Sequence, residues 1–294
     1  MVHSGSNPEE YSVIVLGTAQ DGGYPHTGCN KKCCADAWSD QTKIRLISSI
    51  AIIQESTNKC WLIDITPDFK NQIRNLYKYL SYSPDICGIF ITHAHKGHYT
   101  GLLELGLEAM DTQMIPIYAM DRMRRFLLSN EPFATLVKSK NIELKDLSDL
   151  EPINITSKLS IVPFIVPHRN ELSETVGYKI IFKSSHIIYI PDIDSWDGFE
   201  DNIKSMINTS TVSIIDGTFY SDRELDYRNM SLVQHPTIVD SMKLFSDINH
   251  TNKKKIFFTH LNHTNPTINP FSDESLIVQD SGYNIAEDGK IFKI

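Results

Sequence analysis

Three histidines crowd into six positions, His93-Ala-His95-Lys-Gly-His98, directly after the apolar run Ile86-Cys-Gly-Ile-Phe-Ile91. The run reads as a buried strand, so the rings leave a rigid sheet edge and not a loose loop. His93 and His95 have the period-two spacing that turns both side chains to one side of an extended backbone. His98 lies three residues further on, where a tight turn eased by Gly97 can swing it to the far side of a shared cavity. Neutral imidazoles gathered in this way suit zinc, iron or manganese-class ions. Solvent-exposed loop histidines are the bland alternative.

Further ligand types occupy equivalent places. His168 follows Ile161-Val-Pro-Phe-Ile-Val-Pro167, Asp192 follows His186-Ile-Ile-Tyr-Ile-Pro191 with Asp194 two residues on, and His260 follows Ile256-Phe-Phe-Thr259. Side chains at the C-terminal ends of strands emerge into a common crevice. Alone, each would read as an ordinary core or surface residue; beside the triplet they read as one metal site.

The rest of the chain narrows the setting. Among 294 residues, 36 Asp+Glu outweigh 28 Lys+Arg for a formal charge of −8, which argues against a nucleic-acid-coating protein. Hydrophobic residues make up 41% and charged residues 22%, enough to build a large core. No apolar stretch approaches the 18 or so residues of a membrane span, and Met1 to Tyr11 is polar with no signal core. Five cysteines, three of them Cys29, Cys33 and Cys34, read as metal ligation in a reducing compartment and not as a disulfide framework. Cys60 and Cys87 lie inside apolar runs as small core residues. The expected setting is the cytoplasm and the expected partner a small-molecule substrate, with no nucleic acid and no membrane; a homodimer stays open.

Strands are expected at Tyr11–Leu16, Ser48–Ile53, Cys60–Asp64, Ile86–Ile91, Ile115–Tyr118, Leu159–Val166, Val176–Phe182, His186–Ile190, Val212–Ile215 and Lys255–Phe258, with a strand-like stretch at Tyr283–Ile294. Helices are expected after Pro67-Asp68, over Gly101–Met110, Asp121–Leu128, Phe199–Met206 and His235–Phe245, and Thr18 to about Asp40 reads as a loop. Alternating strands and helices in both halves predict an α/β fold, with two sheets inside and helices outside. A polar tail over residues 1–11 and one domain over 12–294 is the expected division.

In order and rough spacing, the His triplet, His168, Tyr-Ile-Pro-Asp192 and Thr-His260 resemble the ligand motifs of the metallo-β-lactamase superfamily. That resemblance implies an αββα sandwich of two mixed β-sheets flanked by helices, with one or two metal ions between the sheets. Gly17-Thr-Ala-Gln-Asp-Gly-Gly-Tyr-Pro25, Thr66-Pro-Asp68, Asp216-Gly-Thr-Phe219 with Glu224, and Thr264-Asn-Pro266 are similar to the branch containing the pyrroloquinoline quinone biosynthesis protein B and to related phosphodiesterases. The resemblance implies His93, His95 and His168 as first-ion ligands, His98 and His260 as second-ion ligands, Asp192 as the bridge, and Asp64 as an acid orienting a ligand histidine. The superfamily's usual motif has Asp before the last His, where this chain has Gly97; the second site is therefore expected to be weaker, emptier or differently filled.

Related phosphodiesterases carry a Gly-Cys-x-Cys-x-x-Cys loop that holds a structural zinc with a histidine. Gly28-Cys29 and Cys34 match its outer positions, Lys31 replaces the middle cysteine, Cys33 is an extra candidate, and His263 stands three after His260. A Cys3His site from Cys29, Cys33, Cys34 and His263 is one reading; two cysteines with His26 or a water is the other. Lys253-Lys-Lys255 reads as a solvated turn, and Gly22-Gly23 lacks phosphate-loop spacing.

The leading functional expectation is a metal-dependent hydrolase, with zinc as cofactor and iron or manganese as substitutes. In it Asp192 holds and deprotonates the water, while His235 or Tyr99 stabilises an oxyanion; helix capping and aromatic packing are the competing explanations for those two. The alternatives are an iron-dependent oxygenase using His93, His95 and Asp192, and a non-catalytic binding module. Residues 111–150 are expected to cover part of the cleft.

Overall fold

The computed structural model describes residues 11–80, 83–224 and 234–294. Most of the polar tail therefore lies outside the described residues, and Tyr11 already belongs to the first strand.

Fourteen strands among the described residues form two seven-stranded sheets. The first contains β1 (Tyr11–Gly17), β2 (Ser49–Gln54), β3 (Lys59–Ile63), β4 (Asp85–Phe90), β5 (Ile115–Ala119) and β6 (Ile142–Asp146). The second contains β7 (Ile153–Asn154), β8 (Leu159–Ile165), β9 (Val176–Phe182), β10 (His186–Ile190), β11 (Val212–Asp216), β12 (Ile256–Thr259) and β13 (Asn284–Ile285). The last strand, β14 (Ile291–Lys293), returns to the first sheet and pairs with β1. Each sheet is half antiparallel and half parallel: β14-β1-β2-β3 then β4-β5-β6, and β7-β8-β9-β10 then β11-β12-β13.

Period-two patterning sets the layers. In β1, Val13 and Val15 face a core between the sheets, shared with Tyr178, Ile180 and Tyr189 of the second sheet. Ile14 and Leu16 point the other way, into a core beneath α2 (Phe69–Leu76) with Phe69 and Leu76. On the far side, Ile188 and Ile190 of β10 pack against Ile203 and Ile207 of α6 and Ile238 of α7. Those helices span Glu200–Thr209 and Ile238–Leu244. The result is the expected α/β sandwich of two mixed sheets between helical layers.

Four local expectations differ. The segment read as a loop from Thr18 holds α1 (Lys32–Ser39), whose buried Cys34 and Ala37 are too few for a recognisable stripe. The helix expected over Gly101–Met110 is a 3₁₀ turn, Thr100–Leu105, preceded by the short α3 (Lys96–Tyr99). The strand-like stretch from Tyr283 is two strands, one in each sheet. Residues 111–150, expected over the cleft, mainly build the first layer through β5, β6, α4 (Asp121–Ser129) and α5 (Phe133–Lys138).

Candidate metal centre

Strand ends deliver the site. Asp64 follows β3, Thr92-His93 follows β4, His168 lies three residues past β8, Asp192 two past β10, Asp216 closes β11 and His260 follows β12. All are buried, and they meet in one crevice between the sheets. Asp64 and His260 hold positive φ angles of 64° and 61°. For non-glycine residues that conformation costs on the order of 1–3 kcal/mol and is typical of positions fixed for function.

On one side of the crevice, His95 Nδ1 lies 2.9 Å from His93 Nε2 and 3.1 Å from His168 Nε2. Asp192 completes the group, with its oxygens 3.3 Å from His93 Nε2 and 3.3 Å from His168 Nε2. Four donors around an ion at about 2.0–2.1 Å stand roughly 3.3 Å apart in a tetrahedron, so the cluster has the size of a coordination sphere. Only His95 keeps a noticeable exposed fraction, 13%, against 0–1% for His93 and His168. The open side of the site is therefore beside His95.

The other ring nitrogens are occupied. His93 Nδ1 donates to Thr92 Oγ1 at 2.9 Å, His98 Nδ1 to Asp64 Oδ2 at 2.7 Å, and His260 Nδ1 to Thr218 Oγ1 at 2.9 Å. His168 Nδ1 lies 2.7 Å from Asp194 Oδ1. The hydrogen bonds fix the tautomers of His93, His98 and His260, the Asp194 charge sits beside His168, and the opposite nitrogens are aimed at the crevice. Asp64, expected to orient a ligand histidine, stands beside His98. Asp194→Asn is expected to weaken binding of an ion at His93, His95 and His168 by about 10–100-fold, as measured by competition with a chelator of known affinity.

Electrostatics favour neutral imidazoles at His93, His95 and His168 and an ionised carboxylate at Asp192, the forms that ligate. Burial holds His93, His95 and His168 below the usual histidine range. Burial would protonate Asp192, but His168, His260 and His235 outweigh it and keep the carboxyl well below its ordinary value. Burial opposes charge on His98 too, yet Asp64 and Asp21 hold it well above the usual range. An excess of negative charge thus faces the crevice.

His235 is brought into the cluster and Tyr99 is not. His235 Nδ1 donates to Asp216 Oδ2 at 2.8 Å and lies 3.4 Å from Asp192 Oδ1. Burial works against its charge, but Asp216 and Asp192 raise it to about 9. The Tyr99 ring instead packs against Phe126 at 5.4 Å and Phe133 at 5.1 Å, in the core beneath the first sheet. Its adjacency to His98 in sequence is undone by the α3 turn, which sends the two side chains apart.

Sequence reasoning missed Asp21, in the loop after β1. Its Oδ1 lies 3.3 Å from His98 Nε2 and 3.7 Å from His260 Nε2. A carboxylate thus stands beside His98 although position 97 carries none. The missing acid at Gly97 is the one signal in the sequence that could have prompted a search for it.

Cys29, Cys33, Cys34 and His263 form a separate group with donor atoms within 4.8 Å of one another. Cys29 and Cys33 sulfurs stand 3.6 Å apart, far beyond a disulfide bond and close to the roughly 3.8 Å of two thiolates on one zinc. The His26 ring packs against His263 at a tilt of 38° with centroids 4.2 Å apart, while its backbone N–H donates to Cys34 Sγ.

Beyond this geometry, residues 61–261, more than half of the chain, match the family described as the Beta-lactamase superfamily domain. The chain belongs to that superfamily. Among curated relatives, the Coenzyme PQQ synthesis protein B of Xanthomonas oryzae pv. oryzae (strain MAFF 311018) is 26% identical over 94% of this chain and 98% of its own length. The crystal structure of Zn(2+)-bound PqqB from Methylobacterium extorquens superposes with TM-score 0.81 at 23% identity, covering 96% of this chain and 100% of that one. A new diphosphatase from the PhnP family superposes with TM-score 0.68 at 22% identity, covering 97% of each chain. The superfamily sandwich accounts for both half-parallel sheets and for a crevice where their strand ends meet.

Proposed function

We propose that this chain is a metal-dependent hydrolase acting on an ester, lactone or phosphodiester bond. The observation that carries this reading is the convergence of His93, His95 and His168 ring nitrogens with Asp192 at 2.9–3.3 Å, on the side of the crevice open at His95. Three imidazoles and a carboxylate suit zinc first, with iron and manganese as substitutes. When bound there, a divalent ion supplies a water whose pKa falls from 15.7 toward about 7 and polarises the scissile oxygen.

The chain's own residues do the rest. Asp192, kept ionised by the surrounding histidines, orients the attacking water by accepting a hydrogen bond from it. His235, held protonated between Asp216 and Asp192, donates to the developing oxyanion or the leaving group. Arg169 is exposed and close enough for its charge to act on both His95 and His235, a placement that favours an anionic substrate. Arg169→Ala is expected to raise KM about 10-fold for a phosphodiester, with kcat little changed and a neutral ester unaffected. Steady-state kinetics on the two substrate classes check this.

Cys29, Cys33, Cys34 and His263 are proposed as a structural zinc site, and the reducing cytoplasm as the setting, consistent with five free cysteines. The reading is tested by metal analysis of the purified protein with a panel of ester, lactone and phosphodiester substrates. Turnover lost on chelation and restored by zinc supports it; a fully metallated protein inert across the panel overturns it.

A second reading follows the similarity to PQQ synthesis protein B over 94% of the chain: an iron-dependent oxygenase in which His93, His95 and Asp192 face the substrate. Oxygen uptake after anaerobic iron reconstitution separates the two. His168 within the same cluster favours hydrolysis, because it fills a position that an oxygenase of that type keeps open.

A further inference from the structure

The buried polar atoms of the crevice that lack a hydrogen-bond partner include His98 Nε2, His260 Nε2 and Asp21 Oδ1. They face one another at 3.3 Å and 3.7 Å from the aspartate oxygen. Both imidazoles are fully buried, and each has its other nitrogen committed, His98 to Asp64 and His260 to Thr218. Leaving such groups unpaired is costly, and among the described residues none forms a hydrogen bond to them. Asp192 Oδ2 closes the group from the other side, 3.8 Å from His98 Nε2 and 3.7 Å from His260 Nε2.

Gly97 shows that the arrangement is spatially exclusive. A Cβ at that position would stand 2.2 Å from Asp21 Oδ1 and 3.0 Å from Asp21 Cα. Gly97 is not among the described glycines with positive φ, so room for Asp21, and not an unusual backbone, is what glycine provides there. A carboxylate reaching in from the loop after β1 and a side chain on the residue before His98 cannot occupy the same space.

We propose that Asp21 supplies the carboxylate ligand of the second ion position, the one the family resemblance implies at His98, His260 and the shared Asp192. The carboxylate of this second position comes from the N-terminal loop. The proposal rests on the reading of the crevice as a metal centre but not on hydrolysis, and it makes Asp21 a metal ligand and not a surface acid.

Ion counting by elemental mass spectrometry and zinc titration of the metal-free chain test it. Wild type is expected to bind two ions in the crevice, in addition to any ion at the cysteine cluster. Asp21→Asn, which keeps the shape and removes the charge, is expected to bind one fewer tightly, with the lost ion weakened by at least about 10–100-fold. Gly97→Ala is expected to lose the same ion by displacing Asp21. An unchanged ion at the cysteine cluster in both variants serves as the control for folding. Both variants retaining the wild-type count and affinity would overturn the proposal, as would a wild-type crevice that saturates at one ion. A full ion count with no turnover of any substrate leaves the proposal standing and removes only the hydrolase reading.

Discussion

Asp192→Asn is expected to empty both ion positions of the crevice and to lower turnover by about 10³-fold, since stabilisation of several kcal/mol is lost at about 1.4 kcal/mol per decade. The carboxylate is 3% exposed and approaches five histidines: His93 and His168 at 3.3 Å, His235 at 3.4 Å, His260 at 3.7 Å and His98 at 3.8 Å. A neutral amide in its place removes the negative charge that offsets bound cations and helps to hold the His235 proton. The measurement is paired ion content and kcat on one preparation. An Asp192→Asn variant with two ions and wild-type turnover would show that the carboxylate only fills space. His95→Ala should be narrower, removing the ion at His93, His95 and His168 first, because His95 lies on that side alone.

Cys34→Ser is expected to remove an ion from the cysteine cluster and lower the melting temperature by roughly 5–10 °C, because a structural zinc contributes folding free energy directly. Cys34 is buried and sits in α1, while His263 lies three residues beyond His260. The cluster therefore fastens the loop bearing Asp21 to the segment bearing His260. Burial raises the Cys34 thiol to about 12 in the absence of an ion, so binding must expel its proton and affinity should climb with pH. Acidification is the expected route to release, and zinc release followed by a chromogenic chelator reads it. A melting curve indifferent to both Cys34→Ser and chelation would assign the three thiols to ordinary packing.

The ligands legible in the sequence share one property: each sits where an apolar run stops. His93, His168, Asp192 and His260 stand out because strand ends are visible in a string of letters and imidazole is an uncommon residue to place there. Asp21 follows β1 by four residues, yet aspartate between a glutamine and two glycines looks like any turn. Its role depends on a contact with Gly97 across 76 positions, which no local pattern carries. Tyr99 fails in the opposite way, since proximity along the chain suggests a proximity in space that the α3 turn removes. The two strands at 284–285 and 291–293 read as one because alternation reveals a strand but not its partner, and only the turn at Asp288-Gly289 separates them.

The return of β14 to the first sheet bears on how the chain is made. β1 is buried along its whole length, and its outer edge is covered by residues 291–293, in the register Ser12 with Lys293 and Val13 with Phe292. Until those residues leave the ribosome, β1 waits with open backbone groups along that edge, an invitation to pair with another nascent chain. The sheet can close only once residues 291–293 have been made, so a chain cut short between β13 and β14 should yield aggregates and not a smaller folded sandwich.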